Sequence, residues 1–297
     1  MIVRKNMKLF SFGEIIWDVF PDGKTLGGAP LNFAAHAALQ DSEVWLGSAV
    51  GDDELGKEAI EKIEKLGVKA EYVSKISNKP TGRCNVTLDE NKIPRYEILK
   101  DTAYDRISLP TKLARQFDAI AFGTLALRGK ENRETLKRLL DNNTFKTVFT
   151  DLNIRAPFYS RESIVFCLEN ASIVKVSDEE LPVVTDILYG KRFDPVCAVS
   201  RIADDYCNIE LIVVTEGDKG AFCYEKRSGE IYRTAAVPVK VVSTVGAGDS
   251  FGATFLVEYH KHGDILTAMQ LASRVSAYVV SQKGALPEGM KDFLKNV

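Results

Sequence analysis

The strongest chemical signal in the sequence is a glycine-rich loop that ends in a carboxylate, near the C-terminus. Gly246-Ala247-Gly248-Asp249 directly precedes residues 250–261, whose aromatic residues Phe251, Phe255 and Tyr259 recur with the spacing of an amphipathic helix. Glycines before a helix leave backbone N–H groups free for an anion, and the helix dipole adds positive potential. A carboxylate beside a phosphoryl group is suited to take a proton from an attacking hydroxyl. Local pattern alone equally allows a simple turn whose aspartate caps the helix.

A second glycine pair lies near the N-terminus, in Gly27-Gly28-Ala29-Pro30-Leu31-Asn32-Phe33-Ala34. Paired glycines let a ligand approach the backbone closely, but they also serve as a turn before a helix, here an alanine-rich one. On the second interpretation Asn32 is a surface residue of the first helical turn. Asp18, upstream, is likewise either a ligand-binding carboxylate or an exposed loop residue.

The elements that must position these residues follow a simple alternation. Short apolar runs alternate with helical patterns, which predicts repeated βα units around a largely parallel sheet. Most runs are apolar nearly throughout, as expected for strands buried on both faces. A β-rich run at 237–244 is predicted to lead into the glycine loop, and a helix is predicted over 54–66. The predicted core strands are 8–12, 44–50, 119–123, 147–151, 172–176 and 211–215.

Two stretches depart from this alternation. Residues 18–26 are short and polar around the turn signal Pro21-Asp22-Gly23, and residues 82–101 alternate as a β-hairpin does, with a turn near 89–91. Together they predict a small β lid over one edge of the sheet, inserted into a single domain that spans 1–297. Exposed strand edges in such a lid favour a homodimer formed lid to lid.

Composition narrows the function classes. Lys and Arg number 39 against 41 Asp and Glu, a net charge of −2, so the basic excess of a nucleic-acid-binding protein is missing. Five widely spaced cysteines without a C-x-x-C pair, and three histidines, do not predict a structural zinc site. No apolar run approaches the roughly 20 residues of a membrane span, and the first residues lack signal-peptide features. The sequence therefore predicts a cytoplasmic protein with no membrane partner.

The glycine loop extends into a longer signature. Ser243-Thr244-Val245-Gly246-Ala247-Gly248-Asp249-Ser250-Phe251 resembles the C-terminal signature of the ribokinase-like (PfkB) carbohydrate kinases, roughly D-T-x-G-A-G-D-x-F, and differs only at its first position. This resemblance implies that the loop is an anion hole and that Asp249 is the catalytic base. The N-terminal glycine pair resembles the family's sugar-binding signature. That match implies that the backbone at Gly28 approaches the sugar and that Asn32 and Asp18 bind its hydroxyls.

Two further stretches match the family in order, within a resemblance that covers about residues 8–287. Thr215-Glu216-Gly217-Asp218-Lys219-Gly220 resembles its T-x-G-x-x-G segment, which implies that Thr215, Gly217 and Gly220 lie against ATP. An ordinary strand-end turn is the alternative. Ser177-Asp178-Glu179-Glu180 stands where the family has N-x-x-E, which implies that Ser177 and Glu180 belong to the phosphate network, with Glu180 acting indirectly on Mg²⁺. A helix-capping pair is the alternative.

Among members of the family, the sequence resembles fructokinases most, through Gly28-Ala29-Pro30 and the D-x-N-x-R stretch from Asp151 to Arg155. The resemblance implies an α/β fold (Rossmann-like, ribokinase type), with a mainly parallel central sheet flanked by helices and a small β lid. It implies transfer of phosphate from ATP, with Mg²⁺, to a sugar hydroxyl, fructose to fructose 6-phosphate first. Arg155 is then either a ligand of substrate or ATP phosphate or a surface residue in a local ion pair.

Other functions remain open at this stage. Family members that act on ribose, 2-keto-3-deoxygluconate or a nucleoside fit the same motifs, and a non-catalytic sugar-sensing homologue is a more distant alternative. No N-terminal G-x-G-x-x-G and no G-x-x-x-x-G-K-[ST] occurs, which disfavours a nicotinamide-dependent dehydrogenase and a P-loop kinase. Ser243 replaces an aspartate that helps relatives bind a monovalent cation. We therefore expect K⁺ activation to be weak or to depend on backbone carbonyls.

Overall fold

A computed structural model gives the structure of the protein and describes residues 6–88 and 94–297. Within those ranges no helix combines the length and the apolar composition of a membrane span. The strands are β1 (Lys8–Phe12), β2 (Ile16–Phe20), β3 (Gly23–Gly27), β4 (Glu43–Gly51), β5 (Val68–Ile76), β6 (Gly82–Leu88), β7 (Pro94–Ile98), β8 (Ala119–Gly123), β9 (Thr147–Asp151), β10 (Ile173–Ser177), β11 (Leu211–Thr215), β12 (Ala221–Glu225) and β13 (Glu230–Thr234). The α-helices are α1 (Ala29–Leu39), α2 (Glu54–Lys65), α3 (Lys130–Asn142), α4 (Arg161–Asn170), α5 (Leu181–Tyr189), α6 (Pro195–Asp205), α7 (Ala247–His262), α8 (Ile265–Val280) and α9 (Met290–Leu294).

The central sheet is mostly parallel, as predicted. In the described part of the chain its nine strands have the order β13-β12-β11-β10-β9-β8-β1-β4-β5. Only β12 runs antiparallel to its two neighbours, β11 and β13. From β1 the chain continues to β4 on one side and later to β8 on the other, so the strand order reverses between β1 and β8. Such a reversal opens a crevice at the carboxyl ends of the strands, where ligands bind in open α/β sheets.

Both faces of the sheet are covered. Leu9 of β1 packs in the core on the side of α1, α2, α7 and α8. Its neighbour Phe10 packs in the core on the opposite side, with α3, α4, α5 and α6. Successive side chains of a strand point to opposite faces, so a strand covered on both sides reads as a continuous apolar run. The α/β fold predicted from these runs is confirmed.

A second, smaller sheet forms the lid. Its strands have the order β3-β2-β6-β7, with β2 parallel to β6 and the pairs β2–β3 and β6–β7 antiparallel. Both predicted insertions therefore meet in one sheet, and β3 and β7 are its edges. The turn predicted near residues 89–91 lies outside the described residues.

Two predictions near the glycine loop are wrong. The run at 237–244 is not a strand but an irregular segment, and the β-hairpin of this region is β12–β13 upstream. Val237 and Val239 stay partly exposed there because no strand pairs with the segment. The helix after the loop is not amphipathic either. α7 is buried along residues 250–258 because α1 and α8 pack on it from two directions.

Candidate functional site

The glycine loop is the start of α7. Gly246 caps the helix with a φ of 81°, a left-handed conformation that favours glycine, and a Cβ there would lie 2.6 Å from the Ala285 backbone. Ala247 donates its N–H to the Thr244 carbonyl over 3.2 Å. The N–H groups of Gly248 and Asp249 lie in the first helical turn, where no intrahelical acceptor exists. These two amides and the helix dipole make the start of α7 suited to binding an anion.

The Asp249 side chain is half-buried, lines a narrow cleft and does not cap the helix. The Asn32 side chain donates from Nδ2 to Asp249 Oδ2 over 2.8 Å. Burial raises the pKa of Asp249 above its ordinary value, while the Asn32 hydrogen bond and the charges of Lys175 and Arg155 oppose that rise. The carboxylate therefore binds a proton more readily than a surface aspartate does.

The second glycine pair lies at the start of α1 and packs on the loop after β1. Gly28 has a φ of 112°, and a Cβ there would lie 2.5 Å from the Glu14 carbonyl oxygen. Asn32 is buried, with 6% of its surface exposed, so the interpretation as a surface residue is wrong. Its carbonyl oxygen has no hydrogen-bond partner among the described residues. An unpartnered acceptor beside a carboxylate is suited to receive a hydroxyl group.

Two carboxylates flank this loop. Asp18 lies in β2 opposite Thr25, which places it on the lid, and partial burial raises its pKa. Glu14 is buried, with 3% exposed, and burial raises its pKa to about 7 despite a hydrogen bond from the Ala29 backbone. Glu14 Oε2 has no partner in the described part of the chain. Sequence reasoning did not single out Glu14 as a site residue.

Ser177 and Glu180 form a reciprocal pair at the end of β10. The Ser177 N–H donates to Glu180 Oε2 over 2.9 Å, and the Glu180 N–H donates to Ser177 Oγ over 3.2 Å. The capping geometry of the alternative interpretation is therefore present. Glu180 Oε1 also accepts from the Ile154 N–H over 2.7 Å. The pair thus anchors the loop that carries Arg155 to the carboxyl end of β10.

Thr215 ends β11 directly beside Ser177, its partner in the parallel register. The turn that follows passes through Gly217, with a φ of 58°, and Gly220, with a φ of 111°. A Cβ at Gly220 would lie 2.0 Å from the Thr234 carbonyl oxygen, so the turn requires glycine to pack on β13. The predicted ATP segment therefore lies at the same edge of the sheet as the glycine loop.

Arg155 and Ser243 lie around the rim of the site. The Arg155 side chain is exposed, and its positive charge lowers the pKa of Glu14, Asp151 and Asp249 alike. The Ser243 hydroxyl accepts from the Val245 N–H over 3.2 Å. Ser243 therefore stabilises the backbone that leads into the glycine loop.

One pair was missed by the sequence reasoning. Lys175 Nζ lies 2.8 Å from Asp151 Oδ2, and both residues are buried. Asp151 also lines the narrow cleft in front of Asp249, together with Ser11 and Gly123. The available signal was a lysine inside the apolar strand 173–177, because a charge in a strand covered on both faces needs a partner.

Comparisons with known proteins agree with this geometry. A family model described as "pfkB family carbohydrate kinase" matches residues 3–290. A protein of Arabidopsis thaliana named "Probable fructokinase-5" is 30% identical over 94% of this chain and 93% of its own length. Fructokinase from Vibrio cholerae, with fructose, ADP and calcium ion bound, superposes with a TM-score of 0.79 at 23% identity, over 94% of both chains. An E. coli structure described as a ribokinase II with ATP and Mg²⁺ gives 0.82 at 20% identity, over 98% of this chain and all of the other.

Proposed function

The chain belongs to the pfkB family of carbohydrate kinases, and we propose that it transfers the γ-phosphoryl group of ATP to a hydroxyl of fructose. The observation that carries this proposal is the pairing of two groups at the start of α7. The Asp249 carboxylate is held by Asn32 at 2.8 Å, and the free amides of Gly248 and Asp249 lie in the same helical turn. Several curated relatives with similar coverage are named fructokinases, which supports fructose as the acceptor.

In the proposed mechanism Asp249 removes the proton of the attacking hydroxyl. Its raised pKa makes it a stronger base than a surface aspartate, and the charges of Lys175 and Arg155 oppose that rise. The amides of Gly248 and Asp249 stabilise negative charge on the phosphoryl group in transfer, and Gly246 and Ala247 fix their direction. Because these donors belong to a helix that is already folded, they need no rearrangement during the reaction.

The sugar lies, in this proposal, between the N-terminal glycine loop and the lid. Gly28 lets the sugar approach the backbone, Asn32 binds a hydroxyl, and Asp18 on the lid binds others. Three buried acceptor oxygens around Asp249 have no donor among the described residues: Asn32 Oδ1, Glu14 Oε2 and Asp151 Oδ1. Such acceptors fit a ligand rich in hydroxyl donors, because buried polar atoms are normally hydrogen-bonded. Arg155 would hold a phosphate at the open side of the site.

We assign ATP to the carboxyl ends of β10 and β11, against Ser177, Thr215, Gly217 and Gly220. Mg²⁺ supplies charge neutralisation on the phosphates. Among the residues described, no three acidic, histidine or cysteine side chains converge as a metal site. Glu180 would act on Mg²⁺ only indirectly, because both its oxygens already accept backbone N–H groups.

K⁺ dependence is a separate proposal. A double variant of the Vibrio cholerae fructokinase binds potassium ion along with fructose and ADP. In the present chain Ser243 is neutral and its hydroxyl is bound to the Val245 N–H. We expect turnover in K⁺ buffer to exceed that in Na⁺ buffer by less than about threefold, and Ser243→Asp to increase the ratio, because a carboxylate binds cations better than a hydroxyl. A strong K⁺ requirement of the unmodified enzyme would contradict this expectation.

A substrate screen tests the proposed function. The purified protein is incubated with ATP, Mg²⁺ and, separately, fructose, ribose, 2-keto-3-deoxygluconate and a nucleoside, and ADP release is measured. We expect the largest kcat/KM for fructose and, by phosphorus NMR, a single product, fructose 6-phosphate. A larger kcat/KM for another acceptor would replace fructose within the same chemistry. Sugar binding without ADP release from any acceptor would favour a non-catalytic sugar sensor.

A further inference from the structure

Lys175 is a charged residue in the middle of the protein. It lies on β10, flanked in the central sheet by β9 and β11, and only 4% of it is exposed. Burial alone lowers the pKa of a lysine, yet here the neighbouring Asp151 outweighs burial and the pKa of Lys175 is raised. The ammonium is therefore charged at neutral pH. A buried charge is expensive unless a specific arrangement compensates it.

The side chain passes directly beneath the first turns of α7. A Cβ built on Gly248 would lie 3.2 Å from Lys175 Nζ, and one built on Gly252 would lie 3.4 Å from its Cδ. Both positions are glycine, so the lysine approaches the helix backbone more closely than it could beside larger residues. The ammonium thus lies behind the loop whose amides face the phosphoryl group.

Charged groups surround Lys175 on three elements. Asp151 on β9 binds its Nζ at 2.8 Å, Glu180 precedes α5, and Asp249 belongs to α7. Arg155 also acts on Asp151 and Asp249, and the buried Glu14 carboxyl interacts with Asp249 from the loop after β1. An ammonium has three N–H donors, and Asp151 Oδ2 accepts only one of them. Lys175 therefore contributes positive charge to Asp249 from the buried side, and Arg155 does so from the exposed side.

We propose that Lys175 is a positioning residue for phosphoryl transfer: held by Asp151, it places a positive charge directly behind the Gly248 amide and near the Asp249 carboxylate. This inference rests on the proposed kinase function and assigns it a group outside the recognised motifs. Lys175 acts through Asp249 and the loop and does not touch the sugar. Its removal should therefore change kcat and the pH profile much more than the KM for sugar.

The test compares Lys175→Met with Lys175→Arg in the full chain. For Lys175→Met we expect kcat to fall about 100-fold, comparable to the loss of one oxyanion donor. The sugar KM should stay within about threefold of the unmodified value because no sugar contact is lost. The acid limb of kcat/KM should move up by about one pH unit, since Asp249 loses a neighbouring cation. Lys175→Arg should retain the original acid limb even if its rate is lower.

Two further variants keep the test decisive. Lys175→Met leaves Asp151 buried and unpaired, so Asp151→Asn/Lys175→Met removes both charges and should unfold near the temperature of the unmodified protein. We expect its kcat also to be at least about 30-fold lower. Lys146→Met is the control. Lys146 pairs with Asp118 at 2.9 Å at the amino ends of β8 and β9, far from the glycine loop, and its loss should change neither kcat nor the pH profile.

The outcomes separate this inference from the proposed function. Turnover within threefold of the unmodified enzyme in the folded double variant, or an unmoved acid limb in folded Lys175→Met, would overturn the role of Lys175 and leave the kinase assignment intact. An equal upward shift in Lys175→Arg would also overturn it, because the charge is retained there. Absence of ADP release by the unmodified enzyme would refute the proposed function instead.

Discussion

Gly246 fixes the backbone geometry at the start of α7, where we propose that the anion binds. Its φ is 81°, and a Cβ at this position would lie 2.6 Å from the Ala285 backbone, so any side chain would bring both strain and a clash. We expect Gly246→Ala to lower the free energy of unfolding by about 2–3 kcal/mol and turnover by about 100-fold or more. Denaturant unfolding and steady-state kinetics measure the two effects.

Gly263 at the other end of α7 provides a matched control for this change. It has a similar φ of 69°, but no atom lies within 4 Å of its Cβ position. Gly263→Ala should therefore lower the free energy of unfolding by only about 1 kcal/mol and leave kcat unchanged. Equal effects of the two substitutions on kcat would show that Gly246 matters for general stability and not for the anion site.

Glu14 gives a pH-dependent prediction. Burial raises its pKa from 4.5 to about 7 in the folded protein, with Asp249 adding to the rise and Arg155 opposing it. Between these values the folded state holds a proton that the unfolded state releases, so stability falls as the pH rises from about 4.5 to 7. Glu14→Gln, which resembles the protonated side chain, should be more stable than the unmodified protein at pH 7.5, by up to about 3 kcal/mol.

The difference should vanish near pH 4, where Glu14 is protonated in both states. Urea unfolding at pH 4, 5.5 and 7.5 measures it directly. A stability difference between the two proteins that stays constant across this pH range would show that Glu14 titrates at its ordinary pKa. Groups other than Asp249 and Arg155 would then stabilise the buried carboxylate.

At the scale of elements, the sequence predicts strands better than it predicts their partners. β1, β8, β9 and β11 have the predicted bounds, because a strand covered on both faces is a continuous apolar run bounded by polar residues. The segment 237–244 also contains regularly spaced valines, yet it forms no strand. Whether such a segment pairs depends on the presence of a free strand edge, which periodicity cannot show.

In the candidate site, too, local features could be predicted from the sequence and long-range contacts could not. Glycines with positive φ, such as Gly28 and Gly246, were predictable because few other residues fit the backbone there. The contact between Asn32 and Asp249 joins residues 217 positions apart and depends on the packing of α1 against α7. The pairing of Lys175 with Asp151 depends on the register between β10 and β9, which only the sheet reveals.

The lid carries a prediction about assembly. Phe20 ends β2 with 38% of its surface exposed, next to the edge strand β3. If the protein forms a homodimer lid to lid, Phe20→Asp should place a charge in that interface and produce a monomer. Leu266 on α8 is exposed to the same extent, 38%, so Leu266→Asp is the control and should leave the mass unchanged. Light scattering at equal concentration measures the molecular mass of each variant in solution. If Phe20→Asp and Leu266→Asp have the same mass, the lid is not part of a dimer interface.

At the scale of the whole molecule, two helix starts converge on the crevice where the strand order reverses. The Gly27–Gly28 pair lies at the start of α1, the Gly246–Asp249 loop lies at the start of α7, and α1 contacts α7, β1 and β8. Residues near both ends of the chain therefore form one site, so this site exists only when the whole domain is folded. Family membership makes the protein a carbohydrate kinase, and we propose that side chains at this junction and on the lid select the acceptor sugar.

We propose Asp249 as the base of this kinase, and one substitution tests that role most directly. Asp249→Asn keeps the shape of the side chain and an acceptor for Asn32 but cannot take a proton. We predict that kcat with fructose and ATP falls about 1,000-fold or more. Fructose affinity, measured by calorimetry, should stay within about threefold because the proposed sugar ligands Asn32, Gly28 and Asp18 are unchanged. Turnover within tenfold of the unmodified enzyme, with fructose still bound, would contradict the assignment of Asp249 as the base.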